Sequence, residues 1–329
     1  MSDSLEKVIS IIIPVYQARD TLKKCVLSCL SQENIDLDEI EVILVDDGST
    51  DGSEALCDEL ADSDERGRIK VIHTPNGGVS RARNTGIMQA TGRFIAFVDS
   101  DDYVQSSMLG NMIKYADENT LLVDETDSYL GTQKISGFSY IENSVLNSNT
   151  HVWGKIYDRK AILEGNVLFQ EGLSIGEDLL FLMDYASFIG KKRSIRCVAL
   201  EDYVYTENEN SAMNSSFKKS YLDQISCWRQ AEDKLLEIRE YVSAYAFVSV
   251  AVSQIMTALL VAGKVATQTG EKDSDLDKKA VSMVKDQIKH ALKVRGAFAG
   301  LSLGYKIKVL IFRINPDLYL RLYARHKGV

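Results

Sequence analysis

The chain has 329 residues, of which 45% are apolar and 26% are charged, a composition typical of a soluble globular protein that is long enough for two units. Only 3 prolines and no low-complexity tract are present, which argues against long disorder. The formal charge of −9 is unevenly distributed along the chain. Residues 293–329 hold eight Lys or Arg and one acidic residue, while the rest of the chain holds 30 basic and 46 acidic residues. An acidic body of this kind argues against a nucleic-acid-binding protein.

The first hundred residues alternate strand-like and helix-like segments. Residues 8–15 form a nearly continuous run of β-branched side chains, which is typical of a strand buried on both faces. Residues 21–32 then carry apolar side chains at helical spacing, among them Cys25 and Cys29. The alternation continues with strands at 40–45, 69–72 and 93–98 and helices at 53–60 and 79–90. It predicts an α/β fold in which parallel strands are joined by right-handed crossovers.

Beyond residue 103 the pattern is less regular. It predicts a helix over 105–118, a second helix beginning at the acidic pair of GEDLLFLMDYASFIG (176–190), and a mostly helical region after the polar stretch ENENSAMNSS. We therefore expect two parts, residues 1–215 and 216–329. In the second part, residues 241–263 carry no charge and are long enough to cross a bilayer, but their Ser, Thr and Gln side chains favour a buried helix.

Three of the predicted strands end in polar sequences. PVYQ (14–17) follows the first strand, VDDGSTD (45–51) the second and VDSDDY (98–103) the fourth. Because the carboxyl ends of parallel strands open at one edge of a sheet, where ligands bind in such folds, we expect these side chains to share a site.

The carboxylates at these strand ends indicate a cation and a polar ligand. Asp99 and Asp101 flank one residue on a loop, and Mg²⁺ and Mn²⁺ prefer such oxygen ligands. Asp47 can accept a hydrogen bond from the N–H of a nucleobase, which is how a uracil can be read. A solvated turn is the alternative for this set, and helix capping remains open for Asp102.

The segment NGGVSRARNTG (76–86) combines a flexible turn with a helix that carries Arg81 and Arg83. Arginines at a helix N-terminus are favourable neighbours of a diphosphate. The sequence contains neither a GxxxxGK[ST] loop nor a GxGxxG fingerprint. A surface helix with solvated arginines is the alternative.

Five segments resemble, in this order, the family 2 glycosyltransferases, in particular those that build bacterial capsule and exopolysaccharide: SIIIPVYQARDTLKKCVLSCLSQ, EVILVDDGSTDGS, PNGGVSRARNTGIMQATGRFIAFVDSDD, VWGKIYDRKAIL and IGEDLLF. The resemblance covers residues 8–190 and departs from the family at Gln17, where Asn usually follows the tyrosine. It implies an α/β GT-A fold, a Rossmann-like and mostly parallel sheet flanked by helices, followed by a helical C-terminal region. Residues 1–215 would then be the nucleotide-sugar-binding and catalytic domain.

The resemblance also implies a donor site for a UDP-sugar with Mn²⁺ or Mg²⁺. In that site Tyr16 lies against the base, Asp47 binds the base N3–H and Asp99 contacts the ribose. Asp101 holds the metal at the diphosphate, with Asp99 beside it. The other positions assigned to the donor are Pro14, Arg81 and Arg83.

Inverting glycosyl transfer also needs a base that takes the acceptor proton on the side opposite the leaving diphosphate. The pair Glu177–Asp178 matches the acidic pair of the family, so Asp178 is assigned as the general base and Glu177 as an orienting group. A helix start favours an ionised carboxylate, and simple helix capping is the alternative. Trp153 is assigned to the acceptor sugar, with core packing as its alternative.

The basic segment 304–328 predicts a helix with aromatic and cationic faces, of the kind that lies in a membrane interface. Contact with the inner-membrane surface suits a lipid-linked oligosaccharide acceptor. Packing on the protein's own body and self-association into a homo-oligomer are the alternatives. The five cysteines form no Cys-x-x-Cys pair and the start MSDSLEK is unlike a signal peptide, so we expect a cytoplasmic protein, peripheral on the membrane.

These assignments predict an inverting, metal-dependent glycosyltransferase that moves a sugar from a nucleotide donor to a saccharide or lipid-linked saccharide in surface-polysaccharide synthesis. The alternative is a non-catalytic nucleotide-sugar-binding partner in a polysaccharide-synthesis complex. The acidic pair at 177–178 argues against that alternative, because binding alone requires no base there.

Overall fold

The computed structural model describes residues 8–116, 120–125, 133–191, 194–206, 217–268 and 274–328. These residues fall into two compact units. The first contains residues 8–172 and 181–206, and the second contains residues 173–180 and 217–328. The short segment 173–180 therefore groups with the helical C-terminal unit, although it lies within the first part of the predicted division.

The first unit begins with the predicted alternation of strands and helices. Its first two strands are buried at every position except Pro14, as expected for strands covered on both faces. In chain order the elements are β1 (Ile9–Val15), α1 (Leu22–Leu30), β2 (Ile40–Asp46), α2 (Ser53–Ser63), β3 (Ile69–His73), α3 (Val79–Gln89) and β4 (Phe94–Phe97).

Strands β1 to β4 form the parallel part of a larger sheet. β1 pairs in parallel with β2 on one side and with β4 on the other, and β2 pairs in parallel with β3. The carboxyl ends of all four strands therefore open at the same edge, which confirms the predicted convergence of the polar strand ends.

The elements up to residue 206 complete an eight-stranded sheet and add a separate two-stranded ribbon, and the first residues of α7 group with the second unit. They are β5 (Tyr103–Val104), α4 (Met108–Ile113), β6 (Thr120–Glu125), β7 (Gln133–Ile135), α5 (Gly137–Asn143), β8 (Lys155–Asp158), α6 (Arg159–Glu164), α7 (Glu177–Ile189), β9 (Ser194–Val198) and β10 (Tyr203–Val204). The strand order is β3-β2-β1-β4-β8-β6-β9-β7, and β8 runs antiparallel to both β4 and β6. β5 and β10 pair separately as a two-stranded antiparallel ribbon.

The helix predicted over 105–118 is shorter in the structure, where α4 spans Met108–Ile113. The chain before α4 is held in a different conformation, because Gln105 N donates to Asp202 O at 2.7 Å and so extends the β5–β10 ribbon. After α4 the chain leaves the helix in a tighter turn, in which Tyr115 N donates to Met112 O at 3.0 Å. Residues 117 and 118 of the predicted helix lie outside the described residues.

A buried ion pair joins β6 to β8. Lys155 and Asp124 are fully buried, and Lys155 Nζ lies 3.1 Å from Asp124 Oδ1. Asp124 Oδ2 also accepts hydrogen bonds from Tyr140 OH at 2.5 Å and from Asn149 Nδ2 at 2.8 Å. Loss of either charge would leave the other uncompensated in the core, which is strongly unfavourable. Lys155 Nζ also donates to Trp153 O at 3.3 Å and so anchors the chain at Trp153.

The second unit is built around one central apolar helix. Its later elements are α8 (Tyr221–Glu237), α9 (Ala244–Ala266), α10 (Ser274–Ala291), α11 (Ala297–Gly300), α12 (Leu303–Ile314) and α13 (Pro316–Lys327). Within the described part of the chain, α9 alone is long and apolar enough to cross a membrane, and 56% of its most apolar window is buried. α9 packs against α8, α10, α11, α12 and α13, in agreement with the buried helix predicted for residues 241–263.

The C-terminal segment forms two helices where the sequence predicts one. The side chain of Asn315 accepts a hydrogen bond from Leu318 N at 3.0 Å and caps α13, which begins at Pro316. The aromatic side chains of this segment pack on the protein, in agreement with the predicted alternative, because Tyr319 is buried and Tyr323 packs against the core of this unit. Aliphatic side chains occupy the exposed positions instead.

Candidate active site

The loop after β1 is tied to the loop after β2. Gln17 has a positive φ of 52°, and its side-chain Oε1 accepts a hydrogen bond from Thr50 N at 2.8 Å. Gln17 N donates to Ser49 Oγ at 3.2 Å. The residue that departs from the family pattern therefore holds two strand ends together. Beside it, Pro14 is half-buried in β1 and Tyr16 is 54% exposed.

Asp47 is buried after the end of β2 and holds the glycine turn before α3. Its Oδ1 accepts from Gly77 N at 2.8 Å, and its Oδ2 accepts from Gly78 N at 2.7 Å. A carboxylate has about four lone-pair positions, so each oxygen retains one for a further donor. Glycine is required at position 48, because φ is +74° there and a Cβ would lie 2.8 Å from Asn76 N.

Asp46, like Asp47, accepts hydrogen bonds on both of its carboxylate oxygens. Its Oδ1 accepts from Ser49 N at 3.0 Å, and its Oδ2 lies 3.0 Å from Nδ1 of His73. Burial opposes ionisation of Asp46, but the hydrogen bonds from His73 and Ser49 outweigh it and lower the pKa of the carboxyl. The same hydrogen bond to Asp46 raises the pKa of His73. The two residues differ in the kind of partner, since Asp46 contacts the His73 imidazole while both partners of Asp47 are backbone N–H groups.

The two arginines of α3 have different environments. Arg83 is buried, its Nη2 lies 2.8 Å from Asp99 Oδ1, and its guanidinium carbon is 5.2 Å from the centre of the Phe169 ring. The alternative of a solvated surface arginine is therefore wrong for Arg83. Arg81 is half-buried, and its Nη2 donates to Pro75 O at 2.9 Å across the turn before α3.

Asp102 joins the loop after β4 to the β5–β10 ribbon. It is 2% exposed and accepts hydrogen bonds from Tyr203 OH and Thr206 N, both at 2.7 Å. The Tyr203 hydroxyl also accepts from Asp99 N at 3.2 Å. Helix capping is wrong for Asp102, because the N-cap of α4 is Ser107. Burial raises the pKa of Asp102 to about 6, although its two hydrogen bonds act in the opposite direction.

Replacing Asp102 with Ala is expected to lower the free energy of unfolding by about 1–3 kcal/mol, because the buried Thr206 N–H and Tyr203 hydroxyl lose their acceptor. Urea unfolding followed by circular dichroism measures this loss. Asp102→Asn retains one acceptor oxygen and should lose less. Equal unfolding midpoints for the wild type and Asp102→Ala would show that this contact contributes no stability.

The acidic loop after β4 offers carboxylate oxygens to a hard cation. Asp101 is half-buried, and the side chain of Asp99 is 30% exposed with one oxygen engaged by Arg83. Over the described ranges, no three His, Cys, Asp or Glu side chains form a complete metal cage. The donor set fits Mg²⁺ or Mn²⁺, because Mg²⁺ is commonly held by one or two carboxylates while water and substrate phosphates complete its shell.

Nearly parallel aromatic rings extend from Tyr203, the residue that binds Asp102. The Trp153 ring stacks on His151 with centroids 3.6 Å apart and on Tyr203 at 4.4 Å, and the Tyr205 ring lies 6.0 Å away. Burial, together with the charge of Lys155, lowers the pKa of His151 to about 2, so this imidazole is neutral. Tyr205 is 54% exposed. Neither tyrosine is among the residues predicted from sequence, although the alternation in YVY (203–205) places them on one face of a strand.

The acidic pair opens α7, as predicted. Glu177 is buried and Asp178 is half-buried in the first turn of that helix. The segment before them is held by α8, since Ser174 N donates to Asp223 Oδ2 at 3.2 Å and Cys227 Sγ donates to Ile175 O at 3.3 Å. This attachment explains why the pair groups with the second unit.

Known proteins share both this sequence pattern and this architecture. The family model described as Glycosyl transferase family 2 matches residues 10–160. The glycosyltransferase EpsJ of Bacillus subtilis is 31% identical over 242 residues, which are 68% of this chain and 68% of EpsJ. The succinoglycan biosynthesis protein ExoO of Rhizobium meliloti is 32% identical over 195 residues, which are 53% of this chain and 54% of ExoO. The chain thus spans between half and about two thirds of these relatives.

Solved structures with low sequence identity have the same fold. S. aureus TarS, a GT-A protein, superposes with a TM-score of 0.67 at 19% identity, covering 97% of this chain and 55% of TarS. The mannosyltransferase PcManGT from Pyrobaculum calidifontis, solved with GDP-Man and Mn²⁺, gives a TM-score of 0.55 at 16% identity and covers 99% of this chain and 88% of its own. The family model matches residues 10–160, and EpsJ is 31% identical over 68% of this chain. The chain therefore belongs to glycosyl transferase family 2.

Proposed function

We propose that the protein is an inverting glycosyltransferase that moves a sugar from a UDP-sugar to a saccharide or lipid-linked saccharide in the synthesis of a surface polysaccharide. The observation that carries the proposal is the convergence, at one sheet edge, of Asp47, the acidic loop and the Arg83–Asp99 pair. TarS, which shares the fold, has been solved with UDP-GlcNAc, and ExoO is named for succinoglycan biosynthesis. The five described cysteines are all unpaired, in keeping with a reaction on the cytoplasmic side.

The donor nucleotide is proposed to lie across the ends of β1 and β2. The exposed ring of Tyr16 provides a face for the base, and the lone pairs left on Asp47 accept the uracil N3–H. Asp99 keeps one oxygen for a ribose hydroxyl while Arg83 holds the other. Arg81 lies at the start of α3, where it adds positive charge near the diphosphate.

Asp101, with Asp99 beside it, is proposed to hold Mn²⁺ or Mg²⁺ at the diphosphate. When bound, such an ion acts as a Lewis acid that offsets the charge on the leaving UDP. The presence of Mn²⁺ with GDP-Man in PcManGT supports a metal in this fold. The protein's own contribution is to hold Asp99, whose carboxylate contacts Arg83 and whose backbone N–H donates to the Tyr203 hydroxyl.

Asp178 is proposed to accept the proton of the attacking acceptor hydroxyl, with Glu177 orienting it. A bond forms between the acceptor oxygen and the anomeric carbon while the bond from that carbon to the diphosphate oxygen breaks. The proton moves to Asp178, UDP leaves with the bonding electron pair, and the anomeric configuration inverts. The first turn of α7 favours the ionised carboxylate that this step requires.

Tyr205 is proposed to extend the stack of Trp153 as the ring that meets the acceptor sugar. Truncation in Tyr205→Ala should raise the acceptor KM about tenfold, because a ring contact of this kind contributes about 1–1.5 kcal/mol. Tyr205→Phe keeps the ring and should retain a near-native KM, and the donor KM should not change in either variant. Tyr241→Ala, which removes an exposed tyrosine of the second unit, is the matched control. A donor KM that rises with the acceptor KM would contradict an acceptor-specific role.

A panel of nucleotide sugars tests the proposed function as a whole. Each donor is incubated with saccharide and lipid-linked acceptors, with and without Mn²⁺, and nucleotide release and product mass are recorded. We expect metal-dependent UDP release and an acceptor heavier by one sugar, with the opposite anomeric configuration to the donor. Binding of UDP-sugars without any turnover would favour the non-catalytic alternative.

A further inference from the structure

Helix α12 carries a second apolar stripe on the side opposite its core-facing residues. Its buried residues are Val309 and Phe312. The exposed aliphatic residues are Leu303, Ile307, Leu310 and Ile314, which are 74%, 50%, 47% and 82% exposed. Their spacing of four, three and four residues places them within about 60° of the helix circumference. We name these four side chains the α12 ridge.

Cations border the α12 ridge. Lys306 and Arg313 are seven residues apart, so they share one flank of the helix between the ridge and the core face. Arg313 is exposed, and the following helix α13 adds the exposed Arg321 and Arg325. Asp317 is the one acidic residue between residues 293 and 329.

We propose that the α12 ridge is a docking surface for an anionic lipid bilayer. Four large aliphatic side chains in a row on one exposed helix face are unusual for a surface that meets only water. A helix with an apolar centre and a cationic border can insert its side chains at the level of the lipid headgroups, where the cations meet anionic phosphates.

Charge favours a bilayer over a second copy of the chain as the occupant. Two copies that met ridge to ridge would bring their cationic borders together, and like charges would repel. Anionic headgroups complement the same border, and the acidic remainder of the chain is repelled from such a membrane. The ridge and its charges are therefore complementary to a lipid surface but not to themselves.

Vesicle co-sedimentation of the full chain tests the docking surface, without donor, metal or acceptor. We expect binding to phosphatidylcholine vesicles that contain phosphatidylglycerol, weaker binding at high salt, and little binding to phosphatidylcholine alone. Ile307→Gln combined with Leu310→Gln should reduce the apparent affinity about tenfold, and Lys306→Gln combined with Arg313→Gln should do the same. Because these side chains contact solvent, the variants should keep the wild-type unfolding midpoint.

Matched controls remove equal apolar surface or equal charge elsewhere. Met88→Gln with Leu163→Gln replaces two exposed apolar residues of the first unit, and Lys278→Gln with Lys279→Gln removes two exposed cations of α10. Both controls should bind vesicles like the wild type. Vesicle binding that survives both ridge variants, or that needs no anionic lipid, would overturn the proposal. A dimer in light scattering that the ridge variant converts to a monomer, with vesicle binding unchanged, would instead identify a self-association surface.

Discussion

Asp178→Asn is expected to lower kcat about a thousandfold while the donor KM stays near its wild-type value, because general-base catalysis contributes about 10²–10⁴-fold. The amide keeps the size of the side chain but cannot take the acceptor proton. Donor binding is assigned to residues of the first unit, so the loss should fall on the chemical step. Steady-state kinetics with saturating UDP-sugar and acceptor, followed by UDP release, measure both parameters.

The control for this change is Asp184→Asn, the same substitution in the same helix. It should retain near-native kcat, and both variants should show the wild-type circular dichroism spectrum. Full turnover in Asp178→Asn would remove this residue from the mechanism and leave the family assignment intact.

Asp101→Ala is expected to reduce kcat/KM for the donor by about 10²–10³-fold, in line with the several kcal/mol that a Lewis-acid metal contributes to charge stabilisation. The loss should persist at any Mn²⁺ concentration that saturates the wild type. A readout independent of turnover is the affinity for Mn²⁺ in the presence of UDP, measured by calorimetry, which should fall in parallel.

The matched control for Asp101 is Asp62→Ala, which removes an exposed carboxylate from α2. It should bind Mn²⁺ with UDP like the wild type and retain full activity. Unchanged Mn²⁺ dependence and unchanged UDP-coupled Mn²⁺ affinity in Asp101→Ala would refute the metal assignment. Unchanged UDP affinity without metal, alongside lost activity, would support it.

The strands and helices of the parallel half of the sheet can be predicted from sequence, because the residue patterns that mark them lie within each element. The strand predicted at 40–45 is Ile40–Asp46, and the helix predicted at 79–90 is Val79–Gln89. Strands covered on both faces need uninterrupted β-branched runs, and turns and polar residues mark where they end. The shared edge of the strand ends then follows from parallel topology alone.

Features that depend on distant partners were not predictable in this way. Lys155 lies 31 residues from Asp124, and Tyr203 lies 101 residues from Asp102, so no local pattern indicates either contact. The short α4 has the same cause, since pairing with Asp202 holds the residues before it out of the helix. At α4, local helix propensity lost to a contact made across the fold.

If Asp47 reads the base as proposed, its two hydrogen bonds from Gly77 and Gly78 restrict how the nucleotide preference could be redesigned. A substitution at Asp47 that aims at another base also releases the turn that leads into α3 and Arg83, so specificity and architecture would change together. The Tyr16 side chain, by contrast, is exposed to solvent. Selection for a different base should therefore begin with a library at position 16 and keep Asp47 fixed.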